Sequence, residues 1–203
     1  MPIQRLARIA GALYLVNILA GAFAIGYVSS VAPTIHSNEA LFRAGIAAHL
    51  VVALTNPALA LLFYEIFKVV NQRLALLAAF FGLVATAIEG ASLFVQVDHP
   101  TVVPYDVYTT FFGFDLLTIG YLILRSNLLP HFIGVLLVID GAGYIAYDFA
   151  HLLAPAFAGH LVPWIQLPIL AAEGSLTVWL LVVGVNAARW MEQARTSPIS
   201  AFN

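Results

Sequence analysis

Cysteine is absent from this chain of 203 residues. Disulfides, thiolate metal sites and cysteine nucleophiles are therefore excluded. Charge is scarce too. Asp, Glu, Lys and Arg make up 9% of the residues, against about a quarter in a soluble domain. The eight Lys and Arg residues form no block, so no nucleic-acid partner is expected. There is no P-loop, no strand-borne G-x-G-x-x-G, no H-E-x-x-H and no G-x-S-x-G. Paired D-x-x-x-D boxes are also missing, as are basic residues to grip a diphosphate. What remains is apolar: 62% hydrophobic residues and a mean hydropathy of +0.96. Such a composition belongs to an integral membrane protein, with the lipid bilayer as its first partner.

Six stretches reach the ~20 apolar residues needed to cross a bilayer. They run over about 6–28, 44–67, 74–97, 107–124, 131–150 and 162–187. The expectation is an all-α bundle of six transmembrane helices, one domain over residues 1–203. The first stretch follows Arg5 and Arg8 like a signal peptide, but it is too long and lacks a stop, so it reads as a retained span. The joints carry turn residues, in "KVVNQR", "RSNLLPH" and "LLAPAFAGH". "SNEALFRA" suits a short interfacial helix capped by Ser37 or Asn38. No internal repeat of the transporter kind is visible. With the N-terminus inside, Arg5, Arg8, Lys68, Arg73, Arg125, Arg189 and Arg195 fall on the cytoplasmic side and Arg43 alone outside. That asymmetry predicts cytoplasmic termini in a bacterial inner membrane.

Each span also carries polar groups. Asp140, Tyr144, Tyr147, Asp148 and His151 follow i, i+4, i+7, i+8, i+11, one face of a helix. Asn56 lies seven residues after His49, Glu89 three after Thr86, Asp115 three before Thr118, and Glu173 four before Thr177. One inward stripe per span follows from this spacing. At 1.5 Å per residue, His49 lies roughly 8 Å below the outer edge, Glu89 and Asp115 roughly 12 Å, and Asp140 and Glu173 roughly 15 to 17 Å. No Lys or Arg shares that depth. Four acids at a cost of at least about 2.5 kcal/mol each as ions must be partly protonated, hold a cation, or line a wet cavity. His49 is the only deep histidine, which rules out a bis-histidine haem; no cofactor or resident metal is called for.

Plainer roles compete for several of these residues. Asn17, Thr86, Thr118 and Thr177 suit interhelical hydrogen bonds. His49 suits a satisfied bundle histidine, Glu65 an interfacial partner of Lys68, and Trp164 and Trp190 the aromatic belts. Deep ionisable groups are different, because membranes retain them for function.

The strings "LARIAGALYLVNILAGAFA", "LALLAAFFGLV", "FGFDLLTIGYLILRSNLLPHFIGVLLVIDGAGY" and "WLLVVGVN" resemble a bacterial family of multi-pass membrane proteins, the domain of unknown function four-three-eight-six. The resemblance spans nearly the whole chain and implies the fold, with no activity attached. It implies that the G-h-D stretch at Asp115 and an acid near Glu173 recur, while the place of Asp140 is more often small or apolar. A specialised site in this member would follow.

The residues themselves suggest an intramembrane enzyme for a lipophilic small molecule, an isoprenoid cyclase or double-bond isomerase of terpenoid chemistry. Neutral carboxylic acids donate protons, aromatic faces stabilise carbocations, and dry walls exclude water. Asp140 is the expected proton donor, with Glu89, Asp115 or Glu173 tuning it or taking the proton back. His49, Asn17, Asn56, Tyr144, Tyr147, Trp164 and Trp179 are the candidate substrate contacts. The alternatives are a solute or cation/proton-coupled binding or transport protein, and a non-catalytic assembly partner.

Overall fold

A computed structural model describes residues 2–24, 39–98, 107–161 and 164–196. Among them are eight α-helices and no strand: α1 Ile3–Gly21, α2 Glu39–Phe67, α3 Gln72–Asp98, α4 Val107–Leu124, α5 His131–Leu153, α6 Pro155–Leu161, α7 Leu167–Val182 and α8 Ala187–Thr196. Local sequence sets their starts. Pro2 and Pro130 stand in extended conformation just before α1 and α5, where a missing N–H costs nothing. Asn71 and Asn186 cap α3 and α8, each accepting the N–H three residues on at 3.1 Å.

Helices α1 to α5 are long and apolar enough to cross a membrane, and α7 with α8 makes a sixth candidate bent by 95°. The expected span 162–187 is thereby shortened to Leu167–Val182. Gly184 supplies the reason: its φ of 80° breaks the helix. Any Cβ there would overlap Oε1 of Gln4, whose side chain bonds the backbone N–H and C=O of Val185. Two joints also differ from expectation. "PAFAGHL" is helical, as α6. The residues from Glu39 onward are the first turns of α2, with Arg43 and Glu39 paired at 2.7 Å; the proposed caps Ser37 and Asn38 lie outside the described residues.

The six long helices form a closed ring. Each packs on its neighbour in the chain, and α7 closes the ring by packing on both α5 and α1. The tightest joint is α4 against α5. A Cβ on Gly113 would meet Gly141 O at 2.8 Å, and one on Gly120 would meet Gly134 O at 2.8 Å. The glycines recur every seven residues on both antiparallel helices, so the two backbones touch along two turns. Gly141 therefore serves this contact. The sparsest joint of the ring is α5 against α7.

The outside of the ring is apolar. Leu54, Leu61, Phe94, Leu170, Val178 and Val182 are among its exposed side chains, a surface that suits lipid and not water. One end of the ring gathers α1's start, the α2–α3 and α4–α5 turns and α8. Asn186 N–H donates to Leu128 O at 3.0 Å, and Trp190 Nε1 to Ile66 O at 3.0 Å. Arg5, Arg8, Lys68, Arg73, Arg125, Arg189 and Arg195 are on the segments of this basic end, and Arg43 is at the other.

Candidate functional site

All four deep acids face inward. Glu89 is 2% exposed, Asp115 9%, Asp140 1% and Glu173 7%. They form two groups. Asp140 on α5, Glu173 on α7 and Asp115 on α4 lie around Tyr14 of α1, all close enough to interact with its hydroxyl. Tyr144 donates to the Glu173 carboxyl at a long 3.5 Å, and the Tyr14 hydroxyl is close enough to that carboxyl to interact. The Phe112 ring stands edge-on to Tyr144 at 5.7 Å.

Asp140 differs from Glu173. Both carboxyl oxygens are buried and have no hydrogen-bond partner among the described residues, and Thr177 Oγ1 on α7 is in the same condition. Thr177 lies one helical turn from Glu173, on the same face. The glycines beside this place leave space. A Cβ on Gly174 would meet nothing within 4 Å, and one on Gly143 only Ile165 at 3.8 Å. Asp115 packs against α3: its Oδ2 lies 3.0 Å from a Cβ placed on Gly82. The niche between it, Ala60 and Phe63 is too small for a water molecule.

Glu89 belongs to the second group. His49 Nε2 lies 2.7 Å from its Oε1, at an angle outside hydrogen-bond geometry. Asn56 Nδ2 donates to its Oε2 at 3.2 Å, and Asn17 Nδ2 donates to Asn56 Oδ1 at 2.7 Å and Thr55 Oγ1 at 3.0 Å. This chain ties α1, α2 and α3 together just before Pro57, which cannot donate to the preceding turn. Tyr108 stands near His49, ring centroids 6.3 Å apart. The depth expected for Glu89, level with Asp115, is corrected here. Asp115 packs at Gly82, seven residues before Glu89, so the two are roughly 10 Å apart along α3.

The stripe on α5 runs as its spacing predicts, from buried Asp140 through half-buried Tyr144 and Tyr147 and buried Asp148 to exposed His151. Tyr147 lies against His151, with ring centroids 5.9 Å apart. Asp148 accepts hydroxyls from Thr109 at 2.7 and 2.9 Å and Thr110 at 2.6 Å, clamping α5 to α4. The two tryptophans lie away from the acids. Trp164 is 71% exposed. Trp179 is edge-on to Phe132 and lines a groove at the basic end.

Tyr14 and Thr177 join the acids without having been candidates for the site. Tyr14 lies three residues before Asn17, which was its only signal. Thr177 looked like an ordinary interhelical donor, and only the packing shows its hydroxyl unmatched. Among the described residues, no group of three or more His, Asp or Glu side chains could hold a metal.

No solved structure matches the chain. An uncharacterized protein of Archaeoglobus fulgidus is 25% identical over 162 residues, covering 79% of this chain and 91% of that protein. A family model matches residues 9–104 and 91–184. The chain thus belongs to the family described as Domain of unknown function (DUF4386).

Proposed function

We propose that this protein is an intramembrane enzyme that isomerises or cyclises a lipophilic, isoprenoid-like alkene by acid–base chemistry. The observation that carries the reading is Asp140: a carboxyl 1% exposed, with neither oxygen bonded among the described residues. A buried carboxyl with no cation and no donor to stabilise a charge holds its proton. That proton is available to a substrate carbon. The α5–α7 joint, the most sparsely packed of the ring, is the route of entry from the lipid in this reading.

In this reading Asp140 gives its proton to one alkene carbon, and the C=C electron pair forms the new C–H bond. The adjacent carbon becomes cationic, and the faces of Tyr14, Tyr144 and Phe112 stabilise it. Glu173, ionised beside the tyrosine hydroxyls, removes a proton from a neighbouring carbon, and that C–H pair forms the new double bond. The proton returns to Asp140, so no net proton is consumed. Asp140 and Glu173 are close enough to interact, and Tyr144 lies between the two helices that carry them. Glu89 stays outside this cycle, paired with His49.

The basic end faces the cytoplasm in this proposal, and the membrane is the bacterial inner membrane. Conversion of linear isoprenoids or their epoxides by purified protein in detergent tests the chemistry. Asp140→Asn keeps the shape and removes the acid proton; turnover should fall at least 100-fold with the protein folded. Asp148→Asn, in the threonine clamp, should keep most activity. Near-full activity in Asp140→Asn would place the donor elsewhere.

One observation favours a second reading, proton- or cation-coupled transport. The Asn17–Asn56–Glu89–His49 chain is a second set of polar groups on the way to the opposite end. Proton flux into proteoliposomes that is lost in Glu89→Gln, with no substrate conversion, would select it.

A further inference from the structure

The basic end holds a groove of about 650 Å³ that shares no residue with the acid clusters. Leu128, Val183 and Trp179 give it an apolar wall, and Gln4, Asn127 and His131 a polar one. Its place between α1, the α4–α5 turn and the end of α7 puts it where the apolar exterior gives way to the charged end. We propose that this groove is a binding site for one anionic phospholipid, its phosphate on the polar rim and the start of its acyl chain against Val183 and Trp179.

Three observations lead to a phosphate-bearing amphiphile. The first is charge. Among the described residues the only acids near these segments are already engaged: Glu65 by Lys68 and Glu192 by Arg189. Arg5, Arg8, Arg73 and Arg125 have no acidic partner there. Arg5 is the residue after the groove's Gln4, and Arg125 lies two before its Asn127; both are exposed. The second is hydrogen bonding. The Trp190 indole N–H has its acceptor in Ile66 O, whereas that of Trp179 has none among the described residues. Exposed Asn127 is a further donor. The third is shape. Gly184, with its positive φ, turns the chain away at the end of α7 and leaves the groove open beside it. A volume of this size suits a headgroup with the first part of its chains, and Trp at this level is amphipathic in the way an interface demands.

Native mass spectrometry of the full chain in detergent, titrated with phosphatidylglycerol, phosphatidylcholine or inorganic phosphate, tests the site. One phosphatidylglycerol per chain should be retained at concentrations where phosphatidylcholine and inorganic phosphate are not. At about 1 kcal/mol per basic residue, Arg5→Gln/Arg125→Gln should weaken retention about thirtyfold. Trp179→Phe, which keeps the ring against Phe132, should weaken it severalfold. Arg73→Gln removes one charge on α3, across the ring, and should change retention less than threefold. Equal retention of phosphatidylcholine would overturn the proposal. So would an unchanged Arg5→Gln/Arg125→Gln variant, or an Arg73→Gln variant that weakens retention threefold or more, which would mean surface potential alone.

Discussion

Asp140 and Glu89 are carboxylic acids in neighbouring layers of one bundle, and their surroundings give them different work. Glu89 has His49 at 2.7 Å and Asn56 at 3.2 Å. Removing one member of such a buried pair strands the other, at a cost of about 3 kcal/mol or more. The His49→Leu/Glu89→Leu double variant should cost less than the two single variants combined. A coupling of roughly 1 to 3 kcal/mol is expected, read from reversible unfolding in detergent micelles. A coupling of zero would mean that the two side chains do not depend on each other. Asp140 has no such partner among the described residues, so Asp140→Asn should leave unfolding within about 1 kcal/mol of wild type. Its effect should appear in turnover alone.

At the scale of elements, glycine positions decide where helices touch. The α4–α5 joint rests on Gly113 against Gly141 and Gly120 against Gly134, with backbone carbonyls where a Cβ would be. A carbonyl cannot swing aside as a side chain does. Gly120→Val should therefore destabilise the protein by about 3 kcal/mol, or stop it folding. Gly90, in the middle of α3, has nothing within 4 Å of a Cβ. Gly90→Ala should be neutral or stabilising by up to about 1 kcal/mol. The pair compared in one thermal assay checks the assignment; equal losses would show that both glycines are packed alike. The α7 break is the other decisive element feature. Gly184→Ala meets both the positive φ and Gln4, and it should loosen α8 from the end of α1.

At the scale of the molecule, the closed ring puts seven of the eight basic residues on segments at one end. Natural absence of cysteine makes labelling clean. Gly159→Cys, on α6 at the opposite end with open space around it, should react with a membrane-impermeant maleimide in intact cells. Gln72→Cys, exposed at the start of α3, should react only after permeabilisation. The reverse pattern would invert the orientation, and with it the leaflet whose lipid fills the groove.

Composition and periodicity were enough to determine that this chain crosses a membrane as helices, because apolar length is a local property. They also determined the α5 stripe from Asp140 to His151, because residues on one face of one helix are related by 3.6-residue spacing alone. They could not determine which stripes meet at which height. That depends on how far one helix slides past the next, and the slide is set by close contacts such as Gly82 with Asp115 and Gly113 with Gly141. Tertiary packing therefore separated Glu89 from the other three acids, brought Tyr14 and Thr177 to them, and sent Trp179 to the basic end. It also left both oxygens of Asp140 without a hydrogen-bond partner among the described residues, since hydrogen-bond satisfaction is a property of the surroundings and not of the residue.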